Sequence, residues 1–251
     1  MPGRRLGQHF LARKSILERI AEAAATHRDK PVIEIGPGKG ALTEHLLGRA
    51  SRVVAIEIDP VLVHYLQQKF RDRPNFSVLH DDVLKTDLAQ WGEVSVAGNL
   101  PYYITSPIVQ KVLGLGPLLL RAVFLVQKEV AERIAAQPGS RDYGFLSVSV
   151  QAFCEPRILM SVPPEAFRPP PKVHSAVIEL VPRQHPAVKD ADSFLAFASA
   201  AFKQKRKTLR NNLAGVYGQD AIGSQPEAGL RAEQLSIESL GNLHQRILKL
   251  Q

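Results

Sequence analysis

The run Asn99-Leu100-Pro101-Tyr102 brings a side-chain amide, a peptide carbonyl, a proline and an aromatic ring into one short stretch. Those groups suit chemistry on an exocyclic amine. The N6 amino group of adenine is planar because its lone pair is delocalised into the ring, so it is a poor nucleophile. Two acceptors holding its N–H bonds, Asn99 Oδ1 and the Leu100 carbonyl, favour a pyramidal nitrogen and aim the freed lone pair at an electrophilic carbon. Pro101 fixes φ and removes a competing donor, and Tyr102 offers a face on which the base stacks. Such a site works by orientation and electrostatics, so no general base of raised pKa is required. A proline loop that only turns the chain is the alternative reading of these residues.

Upstream, Ile33-Glu34-Ile35-Gly36-Pro37-Gly38-Lys39-Gly40-Ala41-Leu42 passes from β-branched residues through three glycines into a helix-forming stretch, which predicts a strand, a tight loop and a helix N-terminus. Glycine allows φ > 0 and close approach of a ligand, and the helix start directs free N–H groups at polar ligand atoms. Gly36, Gly38 and Ala41 fit the G-x-G-x-x-G/A dinucleotide pattern. Gly36, Gly38 and Gly40 behind Glu34 equally fit the E-x-G-x-G-x-G loop of S-adenosylmethionine methyltransferases. Glu57 ends the next apolar run, where an acid can accept hydrogen bonds from the ribose hydroxyls of an adenosine-containing cofactor, a device NAD enzymes share. A carboxylate at Asp81-Asp82 can take a hydrogen bond from an adenine amino group. Nicotinamide chemistry has no use for Asn-Leu-Pro-Tyr, so methyl transfer is the better reading.

The elements that must position these residues follow from periodicity. Residues 15–26 are predicted to be a helix, with Gly7-Gln8-His9-Phe10-Leu11 before it as a loop. The continuous apolar run at 53–58 reads as a buried parallel strand, further strands are predicted at 76–80, 94–97 and, buried again, 121–127, with helices between them, and such sheets bind ligands beyond the strand C-termini. Asp59 and Pro60 open a helix as N-cap and N1. Helices are also predicted over 106–113 and 128–136, less regular strands over 146–153 and 157–162, and a last strand over 175–181. Phe167-Arg168-Pro169-Pro170-Pro171-Lys172-Val173 forms a stiff extended loop. Phe167 is either a second aromatic face for the target base or a core residue.

After a break at Pro182-Arg183-Gln184-His185-Pro186 only helical patterns follow, ending in an amphipathic helix over 235–250. Phe194, Phe197, Phe202, Leu209 and Leu213 make one apolar stripe. Lys203, Lys205, Arg206, Lys207 and Arg210 form the densest basic segment, a solvated helix face or a grip on phosphates. Across 251 residues, 32 Lys and Arg against 24 Asp and Glu leave a net charge of +8 at pH 7, which points to a polyanionic partner such as nucleic acid. The one cysteine, Cys154, permits no intrachain disulfide and no cysteine metal site, which suits a reducing cytosol, and no metal is expected. No apolar stretch follows the basic N-terminus as a signal would require, and the apolar run 112–120 is too short to span a membrane.

Taken together, Gly7-Gln8-His9-Phe10-Leu11, Glu34 to Gly40, Glu57, Asp82, Asn99-Leu100-Pro101-Tyr102 and the Phe167 to Val173 loop resemble the bacterial 16S ribosomal RNA adenine dimethyltransferases, whose mutants resist kasugamycin. The resemblance implies a Rossmann-like α/β sheet, mostly parallel with its last strand antiparallel, as a catalytic domain over 1–182, followed by a small all-α domain over 183–251 that binds RNA. It implies that S-adenosylmethionine is contacted at His9, Leu11, Gly36, Gly38, Glu57, Asp82 and Asn99. It implies two methyl groups on N6 of each of two adjacent adenosines in the 3′-terminal hairpin of 16S RNA, on an immature 30S particle; the protein itself is expected to be a cytoplasmic monomer. His9 and Tyr103 stand where many members have Asn. Two other readings stay in view: a 23S RNA methylase of the erythromycin-resistance type, and a ribosome-assembly factor whose methylation is secondary.

Overall fold

The computed structural model describes residues 10–185, 187–188 and 190–250. The expected cofactor contact at His9 lies outside the described residues, as do Gly7 and Gln8. The chain divides into two compact units, one of Met1–Ala131 with Pro156–Pro182 and one of Glu132–Glu155 with Arg183–Gln251. The helical second unit therefore takes in residues 132–155 as well as those after Pro182.

The first unit is built from β1 (Phe10–Leu11), α1 (Lys14–Ala24), β2 (Pro31–Ile35), α2 (Ala41–Leu47), β3 (Arg52–Glu57), α3 (Pro60–Lys69), β4 (Phe76–His80), β5 (Val94–Asn99), α4 (Thr105–Leu113) and β6 (Leu119–Gln127). The helix α5 (Lys128–Ala135) and, later, β7 (Cys154–Val162) cross between the units, and β8 (Phe167–Arg168) and β9 (Ser175–Pro182) complete the first. Seven strands form one sheet in the order β4-β3-β2-β5-β6-β9-β7. The pairs from β4 through β6 are parallel and β9 runs antiparallel to β6. This is the expected Rossmann-like sheet. Val32, Ile33, Val53, Val96, Val123 and Phe124 are fully or almost fully buried, because helices cover both faces of a parallel sheet. Strand order reverses between β2 and β5, and the crevice beyond strand C-termini at such a switch point is where open sheets bind ligands.

Three local expectations are corrected. Phe10 and Leu11 are not loop but a short strand, pairing antiparallel with Arg168 and Phe167 of β8. Residues 146–153 are not a strand: Phe145–Gln151 is the helix α6. The alternation Ser147-Val148-Ser149-Val150 imitates a half-buried strand, but these four residues are all buried, and both serines bond to backbone, Ser149 Oγ to the nearby Leu146 carbonyl. Ser147 Oγ accepts from Gly144 N at 3.0 Å and donates to the Arg133 carbonyl at 2.6 Å, while Gln151 Nε2 donates to the carbonyls of Ile134 and Ala136. The last carbonyls of α5 thus find partners in α6, which outweighs β propensity.

The third correction concerns the basic segment. Between α7 (Ala191–Ala201) and α8 (Leu209–Tyr217), residues 203–207 form a turn rather than a helix. Thr208 stops a continuous helix by N-capping α8, accepting from Asn211 N, and Asn212 Nδ2 donates to the Ala201 and Gln204 carbonyls. The short helix α9 (Gln219–Gly223) and the amphipathic α10 (Ile237–Leu248) follow. Phe194, Phe197, Leu209 and Leu213 are fully buried in this unit's core and Phe202 packs against it. Cys154 is buried, with its thiol pushed up to about 12 by that burial.

Candidate active site

The glycine loop leaves β2 with Gly36, Gly38 and Gly40 all at positive φ (64°, 57° and 77°). A Cβ at Gly38 would lie 2.9 Å from the Phe10 ring, and one at Gly40 2.6 Å from Phe70. At Gly36 a Cβ would meet nothing within 4 Å, so the backbone there borders open space. Lys69 braces the loop from α3, donating to the Lys39 carbonyl at 2.9 Å and pairing with Glu44 at 2.6 Å.

Two buried acids flank the loop. Glu34, on β2, accepts from Thr43 Oγ1 at 2.6 Å and is only 1% exposed. Burial pushes its carboxyl up to about 7, despite the Thr43 hydrogen bond and the Lys69 charge. Glu57 ends β3 with both oxygens engaged by backbone: Oε1 accepts from Ile58 N at 3.0 Å and Asp59 N at 3.1 Å, Oε2 from Gly38 N at 3.2 Å. Burial raises this carboxyl too, against the three N–H donors that favour its charge. Oε2 carries one of these bonds and Oε1 two, so further acceptor capacity lies on Oε2. At the end of β4, Asp82 Oδ1 accepts from Leu84 N at 3.0 Å, and the neighbouring Asp81 accepts from Asp82 N and from Thr86 Oγ1 at 2.8 Å each. Those donors lower the Asp81 carboxyl.

Asn99 closes β5, and the run after it turns sharply. Gly98 lets β5 pass β2 closely, since a Cβ there would stand 2.5 Å from the Ile35 carbonyl oxygen. Leu100 N donates to the Leu125 carbonyl at 3.0 Å and its side chain is 1% exposed, so this peptide is held on both sides. The Pro101 carbonyl accepts from Ile104 N and from Thr105 Oγ1 at the start of α4. The Tyr102 hydroxyl shares a 2.8 Å hydrogen bond with Ser175 Oγ of β9, and burial raises its pKa.

One cavity of about 540 Å³ joins these parts. Leu11, Glu34, Gly36, Gly38, Glu57, Asp82, Asn99, Leu100, Pro101 and Tyr102 all line it. Phe167 does not: it is 2% exposed and packed in the core, while its neighbour Arg168 lines the cavity. Lys203, Lys205, Arg206, Lys207 and Arg210 are exposed in the second unit, where Lys205 Nζ also donates to the Arg141 carbonyl. Sequence reasoning assigned no task to Thr43, Ser175, Arg168 or Tyr103. Only Tyr103 was signalled, by its place directly after the Asn-Leu-Pro-Tyr run.

The cavity suits an adenosine with a charged tail: a glycine cradle open at Gly36, an acid anchored at Glu57, and a second acid at Asp82. The model of the family described as ribosomal RNA adenine dimethylase matches residues 3–245. The chain belongs to that family. Its methyl donor is S-adenosylmethionine, and the residues present fit that group. Ribosomal RNA small subunit methyltransferase A of Acidobacterium capsulatum is 45% identical over 95% of this chain and 89% of its own length. The protein of the same name from Pseudomonas putida is 42% identical over 96% and 92%. Among solved structures, a dimethyladenosine transferase from Plasmodium falciparum superposes with a TM-score of 0.81 at 28% identity, covering 96% of this chain and 97% of that one. The 23S rRNA methyltransferase ErmE gives 0.74 at 30% identity, covering 95% and 99%. This family member is thus an S-adenosylmethionine-dependent rRNA adenine dimethyltransferase.

Proposed function

We propose that the chain dimethylates N6 of each of two adjacent adenosines in the 3′-terminal hairpin of 16S RNA, within an immature 30S subunit, as a cytoplasmic monomer. The observation that carries this reading is the shared cavity: the glycine loop with its anchored Glu57 and the Asn99–Tyr102 turn open onto one space. Identities of 45% and 42% to small-subunit enzymes, against 30% to ErmE, support 16S over 23S RNA as the substrate.

When bound, S-adenosylmethionine supplies a methyl group made electrophilic by the adjoining sulfonium. Glu57 Oε2, already fixed by Gly38 N, is placed to hold the ribose hydroxyls, and Asp82 the adenine amine. Gly36 and Gly38 let the backbone approach without a side chain between. On the other wall, Asn99 Oδ1 and the Leu100 carbonyl grip the two N–H bonds of the target amine and orient its lone pair. Tyr102, tied to Ser175, presents a fixed face for the swung-out base, since an adenine must leave its stack to reach the cavity. The exposed cations Lys203, Lys205, Arg206, Lys207 and Arg210 serve to hold RNA phosphates, which would make the second unit the RNA-binding part. No described helix is long and apolar enough to cross a membrane.

The test is to incubate the protein with radiolabelled methyl donor and undermethylated 30S subunits, then digest the RNA to nucleosides. Label is expected in N6,N6-dimethyladenosine. Label in cytidine, in protein or nowhere overturns the assignment. If the Asn99→Ala variant abolishes methylation yet still binds immature subunits and supports growth, an independent assembly role is established.

A further inference from the structure

Among the described residues lining the cavity, three are aromatic: Phe10, Tyr102 and Tyr103. The Phe10 ring is committed to the glycine loop, seated where a Gly38 Cβ would fall, with Lys39 Nζ 5.6 Å from its centre. Tyr102 is half-buried and held by Ser175. Tyr103 differs from both, because it lines the same cavity and is 68% exposed. Its backbone is not loose, since Leu100 N, Ile104 N and Thr105 Oγ1 all tie the surrounding turn down. Arg168 is another exposed residue of the cavity lining, as Lys39 and Ile58 are, and is set in register by its pairing with Phe10. An exposed aromatic face and an exposed guanidinium on the lining of one cavity are the groups that hold a nucleotide outside a pocket, the base by stacking and the phosphate by charge.

We propose that Tyr103 and Arg168 form a second nucleotide subsite at the cavity mouth, in which the base beside the reacting adenosine stacks on the Tyr103 ring and Arg168 takes an adjoining phosphate. This inference rests on the adenosine reaction proposed above. Because the two target adenosines are adjacent, the base in the mouth subsite is the other adenine, and one exposed ring serves both reactions. The subsite keeps the RNA in place while the two bases exchange positions.

The experiment uses the full chain and small subunits reconstituted with unmethylated 16S RNA. Tyr103→Ala is expected to raise KM for the subunit about tenfold, with kcat and the affinity for S-adenosylmethionine changed by less than about twofold. Tyr103→Phe and Tyr103→Trp restore the wild-type KM, because stacking needs the ring and not the hydroxyl. Arg168→Gln raises KM by a smaller factor, which shrinks as salt is raised. The deciding arm places an abasic residue at one adenosine position and follows methylation at the other: wild type and Tyr103→Ala should then become equal. A Tyr103→Ala protein that matches wild type on intact RNA overturns the inference. So does one that keeps its whole defect on abasic RNA, which would make the ring a support for its own turn. Should the wild-type protein methylate no adenosine in intact subunits, the adenosine reading itself fails and the subsite falls with it.

Discussion

The two walls of the cavity are stabilised in opposite ways. On the glycine-loop wall the polar groups are answered from within: three backbone N–H groups hold Glu57, Thr43 holds Glu34, and the glycines adopt conformations an L side chain would strain. On the other wall the Asn99–Tyr103 turn is anchored behind, through Leu100 and Thr105, and offers side chains forward to the cavity. A rigid backbone mould suits a ligand that is always the same small molecule. A fixed turn with projecting groups suits a base delivered from a much larger partner. Binding of donor and transfer to acceptor should therefore be separable by mutation.

Asn99→Ala tests that separation most severely. Loss of one preorganised acceptor should slow methyl transfer by about 10²–10³, while calorimetry finds the affinity for S-adenosylmethionine reduced by no more than about tenfold. If donor affinity falls as far as the transfer rate, the walls do not act independently.

Glu34 probes the cost of the rigid wall. Its carboxyl sits at about 7 in the folded protein against the ordinary 4.5. The folded state thus holds an extra proton between those values, and stability should fall as pH rises through that window, then level off above it. The loss is on the order of 3 kcal/mol. Glu34→Gln, which keeps an acceptor for Thr43, should flatten the dependence, measured by denaturant unfolding between pH 5 and pH 8. A wild-type stability that does not fall over that range would mean the buried acid is solvated in solution.

Gly38→Ala sharpens the comparison from the backbone side. A Cβ 2.9 Å from Phe10 and a φ of +57° together should cost about 1–2 kcal/mol. The donor should bind about tenfold or more weakly, with the transfer rate recovered at saturating donor. A lowered rate at saturation would show that the mould also orients the methyl group.

The smallest effect is expected far from both walls. Changing Lys203, Lys205, Arg206 and Lys207 together to Gln should weaken binding to small subunits about tenfold and flatten its salt dependence. Folding should shift by no more than about 1 kcal/mol, because these residues are exposed and the Lys205 bond to the Arg141 carbonyl lies at the surface. Unchanged binding would remove the turn from the RNA contact.

What could be read from residues alone has a local cause. Three positive-φ glycines, the Asp59–Pro60 helix start and the Asn-Leu-Pro-Tyr run impose their geometry within a few bonds. Glu57 and Asn99 end β3 and β5 and Asp82 lies two residues past β4, on strands whose apolar runs announce a parallel sheet. Cavity membership of these residues follows from sheet topology, which such runs already imply. Tertiary structure alone decided the rest. Phe167 is equally consistent with a stacking ring or a core ring until β8 pairs with β1 and buries it. Ser147-Val148-Ser149-Val150 reads as a strand until the last carbonyls of α5 take up Ser147 and Gln151 as donors from a helix. Lys203 to Lys207 keeps a helical composition, yet Thr208 and Asn212 find backbone partners that close a turn. The titration of Glu34 depends first on its burial, and then on Thr43, Glu57 and Lys69 meeting around it. Apart from the local Thr208 cap, the deciding partner is remote in the chain or supplied by packing, and burial, which sets the strength of every polar contact, is a property of the assembled fold rather than of any segment.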